Sequence, residues 1–277
     1  NGTWSERFDS ASPINTQPVI TILGWWFTII LFGWAVWPLL FTAFPGLADR
    51  GYGFAKLAGL LLTGWVAWVF SSARIPLWSQ AGILISLLIV ASVGILVSWR
   101  NRKILIDYVR QHVARLLWFE AITLLAFAAF LFIRLTTPDL WHPSFGGEKP
   151  MDFAYFNGVL RSSVFPPIDP WYAGGFINYY YFGFVLVGTP TLLLGVMPQI
   201  AYNLAIPTIF ALTAIGAFTV AYNLAAAFGR RTHEDVTTDA INGVPTESSV
   251  VGTPFMASVS SSPIPTKYTA PYAPSFS

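Results

Sequence analysis

The chain has 277 residues, of which 55% are hydrophobic, 17% aromatic and only 10% charged, with a formal net charge of +2. A soluble domain carries roughly 25% charged residues, so this inventory cannot clothe a water-facing surface, and the chain reads as an integral membrane protein. The near-neutral balance and the lack of a basic stripe argue against a nucleic-acid partner, and the absence of cysteine excludes disulfides and thiolate metal sites.

Residues 1–18 read as an extracytoplasmic segment, opening on Asn1-Gly2-Thr3, which fits a glycosylation sequon. Six stretches then reach the roughly 20 apolar residues needed to cross about 30 Å of hydrocarbon. They are Val19–Phe44, Phe54–Ala73, Ser79–Trp99, Leu116–Ile133, Ile177–Met197 and Gln199–Phe228. Lipid offers the backbone no hydrogen bonds, so all six are expected as helices. The fold class is therefore all-α: a multi-pass transmembrane bundle of about six spans. Pro38 and Pro207 are expected to bend their spans or to mark an end. No span holds a histidine for haem or chlorophyll, and no charge sits mid-span to mark an ion path.

Arg100, Arg102, Lys103, Arg110 and Arg115 form the strongest basic cluster, which the positive-inside rule assigns to the cytoplasm, and the loop bearing Asp49, Arg50 and Lys56 follows it there. In the plasma membrane, six crossings then leave the loop 135–176 outside. They also leave Arg230 and Arg231 outside, against the rule. Arg134, at the end of the fourth span, is expected to snorkel to the headgroups. Trp99 and Trp118 are expected as interfacial anchors.

The loop holds residues that packing in lipid does not require. Pro150 suits the first turn of a helix, so a short interfacial helix is expected over Pro150–Ser163, with Met151, Ala154, Tyr155, Val159 and Leu160 on its apolar side. Glu148 precedes it and Asp152 lies in its first turn, where helix capping and acid–base chemistry are competing explanations. Phe165–Gly175 is rich in proline and glycine, an irregular loop presenting Asp169. Asn178 and Tyr179–Tyr181 open the next span. Helical neighbours point about 100° apart, so at least one of the three hydroxyls is expected to face the protein interior or the loop above. Lys149 and Arg161 are the local partners for a phosphate. His142 reads as solvated. A carboxylate pair can hold Mg²⁺ or Mn²⁺ through oxygen, but two carboxylates are a weak signal and no metal site is assigned.

The run GGEKPMDFAYFNGVLRSSVFPPIDPWYAGGFINYYYFG resembles the "YYY" membrane protein family of Chloroflexi and archaea, over roughly Leu116–Phe228. That family looks like a branch of the GT-C glycosyltransferases, multi-span enzymes that use lipid-phosphate-linked sugars. The resemblance implies Glu148 or Asp152 as the catalytic carboxylate, and Lys149, Arg161, Asp169, Asn178, Tyr179, Tyr180 and Tyr181 around the substrate. It implies a polyprenyl-phosphate sugar as donor. GT-C enzymes are considerably longer, so the chain is expected to match their N-terminal part.

Four regions follow: 1–18, three spans and the basic segment over 19–115, the GT-C-like module over 116–228, and a Ser/Thr/Pro-rich tail over 229–277. The composition of Thr232–Ser277 is that of a disordered segment unless a protein partner holds it, with Tyr268, Tyr272 and Phe276 as natural anchors. Besides the transferase, the sequence therefore supports a second reading. The chain would be a non-catalytic subunit of a larger photosynthetic or respiratory membrane complex, docked by its tail.

Overall fold

A computed structural model of the chain describes residues 3–140, 147–178 and 180–242, with side chains through Gly229. The helices are α1 (Trp4–Arg7), α2 (Pro13–Thr16), α3 (Pro18–Ala43), α4 (Ala55–Ser72), α5 (Gln80–Ser98), α6 (Arg102–Thr136), α7 (Lys149–Arg161), α8 (Tyr181–Leu194) and α9 (Pro198–Asn242). A 3-10 turn, Tyr52–Phe54, leads into α4, and another, Trp99–Asn101, joins α5 to α6. Among the described residues the extended pairing amounts to one antiparallel bridge, Ile168 with Phe176. The all-α expectation holds. Pro38 and Pro207 lie inside α3 and α9 and end neither helix.

Among the described residues, four helical runs are long and apolar enough to cross a membrane: Pro18–Ala43, Tyr52–Ser72, Gln80–Thr136 and Pro198–Gly229. The third has 57 residues, about 85 Å if straight and far beyond a bilayer core. It is two legs running in opposite directions. Gly94, late in α5, faces Ala35 and Leu39, late in α3. Tyr108, early in α6, rests on Phe41, whereas Phe127, late in α6, rests on Trp26. So α5 runs with α3 and α6 runs against it. The basic segment is not a loop: it is the start of α6, which is interrupted at His112, where φ is −120° and ψ 19°.

Close approach of α3 and α4 rests on glycine. A Cβ on Gly59 would collide with the carbonyl of Phe32, and one on Gly33 would press on the backbone of Lys56. Small residues of this kind let helices associate where lipid removes the usual hydrophobic drive. At this end of the bundle, the basic end, Asp49 is fully buried and accepts hydrogen bonds from the amides of Gly51 (3.1 Å) and Gly53 (2.9 Å) and from Asn223 Nδ2 (2.9 Å). Asn223 thereby ties α9 to the α3–α4 connection. Lys56, expected in a cytoplasmic loop, instead lies buried in the first turn of α4 and pairs with Glu120 of α6 at 2.5 Å. Tyr52 donates to the same carboxylate oxygen at 2.7 Å.

At the opposite end, the loop end, the expected fifth span over 177–197 requires correction. Helix covers only Tyr181–Leu194, about 21 Å and short of a crossing. Both its ends meet one end of the bundle. Tyr181 accepts from the indole of Trp68, late in α4, while Leu193 O accepts from Gln80 at the start of α5. Gly195 O accepts from Asn15 Nδ2, and the Met197 amide donates to Asn15 Oδ1, just ahead of α3. The chain goes in and comes back. α9 therefore starts where α6 stopped, and it runs to Asn242, so the first part of the segment expected as an unstructured tail is helical. The tail anchors Tyr268, Tyr272 and Phe276 lie outside the described residues.

Two measurements check this architecture. Gly59→Ala is expected to destabilise by about 1–3 kcal/mol through overpacking, read as a lower unfolding midpoint in detergent. Because the chain has no cysteine, Lys103→Cys, Ser163→Cys and Gly229→Cys are clean reporters for a membrane-impermeant thiol reagent. Lys103→Cys and Gly229→Cys should label from one side and Ser163→Cys from the other. Labelling of Gly229→Cys together with Ser163→Cys would mean that α8 crosses.

Candidate functional site

The loop-end surface is organised by α7, which is docked on the bundle. Phe156, Val159 and Leu160 form its buried side. The Trp78 indole, itself fully buried, donates to Val159 O at 2.9 Å, and Arg7 donates to Leu160 O at 3.0 Å. Gly188 of α8 gives Trp78 the room, since a Cβ there would meet its ring at 2.8 Å. The expected helix over Pro150–Ser163 is thus present with slightly shifted ends.

Glu148 is exposed and holds the N-cap position, and Asp152 follows one turn later, half-buried. Burial, and then the nearby Glu148 charge, raise the Asp152 carboxyl above its ordinary value. The positive end of the helix would favour its ionised form, but loss of water and the like charge outweigh it. Tyr202 of α9 lies within electrostatic reach of both the Asp152 carboxylate and the Arg134 guanidinium. Its ring packs edge-on against Phe153 at 5.9 Å.

Several of the remaining candidates line two hollows whose linings do not include Glu148 or Asp152. Arg161 and Asp169 border a groove of about 630 Å³ with Asn157 and Ser162. Arg161 lies over the Trp4 ring at 5.0 Å, and Asp169 Oδ1 accepts the amides of Trp171 (2.8 Å) and Tyr172 (3.2 Å), holding the turn. Asn178, Tyr180 and Tyr181 border a second hollow of about 410 Å³ with Trp65 and Trp68. One tyrosine hydroxyl does face the protein: that of Tyr181, whose ring stacks on Phe165. Tyr180 is left-handed (φ 51°) and exposed. Tyr179 and His142 lie outside the described residues. Lys149 opens α7 three residues before Asp152, a spacing that puts the two on one helix face. Among the described residues no three His, Asp or Glu side chains gather as metal ligands.

Sequence reasoning missed a cavity of about 370 Å³ at the loop end between α3, α6 and α9, lined by Asn15, Arg134 and Asn203 among mostly apolar side chains. Arg134 does not snorkel. It is 7% exposed, and its guanidinium turns back to the carbonyls of Thr137 and Asp139. No linear pattern joins Arg134, at the end of one helix, to Asn203, at the start of another. Only the return of α8 brings them together.

The raised Asp152 carboxyl has a signed consequence. Its folded form favours the proton, so its stabilising contribution is complete below the ordinary value of 3.8 and is lost as pH rises through the raised value. Asp152→Asn keeps the uncharged form throughout. Thermal unfolding from acid to neutral pH should therefore show a flatter profile for the variant, melting no lower than the parent protein at neutral pH.

Neither a curated protein nor a solved structure matches the chain. A family model described as uncharacterized membrane protein (DUF2298) matches residues 62–264. The match starts within α4 and extends well to either side of the tyrosine-bearing loop. Spanning more than half of the sequence, it shows that this chain belongs to the DUF2298 family of uncharacterized membrane proteins.

Proposed function

We propose that this membrane protein, which resembles the N-terminal part of a GT-C glycosyltransferase, draws on a lipid-phosphate-linked sugar at the membrane surface. The observation that carries the reading is Asp152: a half-shielded carboxylate on a docked surface helix, with its proton affinity raised by burial and by Glu148. A general base works best when its pKa is moved toward the working pH. In the proposed step Asp152 takes the proton of an acceptor hydroxyl, whose oxygen bonds to the sugar's anomeric carbon. The bond from that carbon to the phosphate oxygen breaks, and the lipid phosphate departs with its electron pair. Lys149, on the Asp152 face, supplies positive charge for the departing phosphate.

The orientation proposed with this function puts the basic end in the cytoplasm and α7 outside, in the plasma membrane. Support comes from the return of α8. Asn223 ties α9 to Asp49, so Arg230 and Arg231, further along the same helix, join the Arg100–Arg115 cluster at one end and cease to break the positive-inside rule.

A non-catalytic subunit of a larger membrane complex is the second reading. It is favoured by the separation of the carboxylate pair from the hollow that Tyr180 and Tyr181 line. Sugar transfer from a polyprenyl-phosphate donor, assayed in membranes, distinguishes the two. Asp152→Asn should lower turnover by roughly 10²–10⁴-fold with the unfolding midpoint retained, and Glu148→Gln by less. Full activity in both variants removes the pair from catalysis. Stable co-purification of partner subunits with an inert protein supports the scaffold.

A further inference from the structure

The loop-end cavity between α3, α6 and α9 is lined by Arg134 and Asn203, each of which carries a buried side-chain atom without a partner among the described residues, one a donor and one an acceptor. Arg134 Nε has no hydrogen-bond partner among the described residues. Its guanidinium is permanently charged, yet its described partners are two neutral carbonyls, and the one ion pair among the described residues is Lys56–Glu120. A buried cation without a counter-charge is costly unless an anion reaches it. Across the same cavity, Asn203 spends both amide hydrogens on Pro138 O (3.2 Å) and Gln199 O (2.9 Å), which leaves Oδ1 buried and without a donor. A ligand whose polar end offers an acceptor to Arg134 and a donor to Asn203 would satisfy both. The rest of the wall is mostly apolar, including Ile22, Leu131, Ile200 and Leu204, with Asn15, Thr21 and Gln199 also on it.

We propose that this cavity binds a single-chain alkyl phosphate monoester. The monoanion meets both demands: an unprotonated oxygen accepts from Arg134 Nε, and the remaining P–OH donates to Asn203 Oδ1. A carboxylate satisfies only the arginine, and an alcohol brings no charge. The volume of about 370 Å³ lies within the range of small-ligand pockets, and the hydrocarbon chain follows the apolar wall toward the lipid. Such a monoester has the chemistry of the carrier released in the transfer proposed above. The binding site nonetheless rests on Arg134 and Asn203 alone and does not require Asp152 to be a base.

Native mass spectrometry of the purified chain in neutral detergent, titrated with dodecyl phosphate, dodecanoate, dodecanol and inorganic phosphate, tests the assignment without any sugar donor. Dodecyl phosphate is expected to bind most tightly, with roughly a tenfold or larger preference over dodecanol. Arg134→Gln should erase that preference, and Arg134→Lys should retain part of it. Asn203→Leu should narrow the gap between phosphate and carboxylate. Should Arg134→Gln fail to fold, Ile200→Trp fills the cavity without touching the charge and should abolish dodecyl phosphate binding with the unfolding midpoint kept. The proposal is overturned by equal binding of dodecyl phosphate and dodecanol, by undiminished binding in Ile200→Trp, or by inorganic phosphate saturating the protein as readily as its alkyl ester.

Discussion

Two hydrogen bonds from one side chain set the layout of the loop end. Asn15 donates to Gly195 O and accepts from the Met197 amide, so the C-terminal end of α8 is held beside the start of α3. With the exit of α8 fixed there, α9 begins at the end of the bundle where α6 finished. The described residues between Thr136 and Pro198 then lie toward that end of the bundle. Asn15 also lines the cavity that holds Arg134 and Asn203. Topology, candidate site and proposed phosphate pocket share this constraint.

The treatment of buried polarity differs between the two ends. At the basic end the buried charges have ionic or hydrogen-bonding complements: Asp49 accepts two amides and an asparagine, and Lys56 faces Glu120 with Tyr52 alongside, although the second Glu120 oxygen is buried without a hydrogen-bond partner among the described residues. These groups join helices that lipid alone would not hold together. At the loop end, Arg134 is as buried as Lys56 but has only carbonyls for described partners. Because a guanidinium keeps its charge, that contrast separates a structural clamp from a place prepared for an anion.

Much of the helical content was legible in the sequence. Long apolar runs bounded by proline, serine and basic residues gave α3, α4 and α5 close to their observed limits, because a backbone in hydrocarbon has few alternatives to a helix; they gave only the apolar parts of α6 and α9, which begin at Arg102 and run on to Asn242. The surface helix α7 was legible for a local reason: Pro150 suits a first turn, and the apolar side is spaced for one face. The candidate site was legible only in its parts. Asp152 and Glu148 do share a helix end, but Arg161 and Asp169 border one hollow and Tyr180 and Tyr181 another. Residues close along an irregular loop need not converge, since each turn redirects its side chains. Arg134 was read as snorkelling because a terminal arginine normally reaches water; here two carbonyls of its own loop draw it inward.

The sequence by itself determined the solvent and the secondary structure: a charge-poor, aromatic-rich chain must live in lipid, and in lipid it must be helical. Only the tertiary structure decided which apolar run turns back. The segment 177–197 is apolar enough to cross, and nothing local distinguishes crossing from returning. That choice lies in hydrogen bonds from Trp68, Gln80 and Asn15, residues more than a hundred positions away. Long-range contacts of this kind carry no signature in the segment they position, because hydrophobicity records what a helix is surrounded by and not where its ends are held.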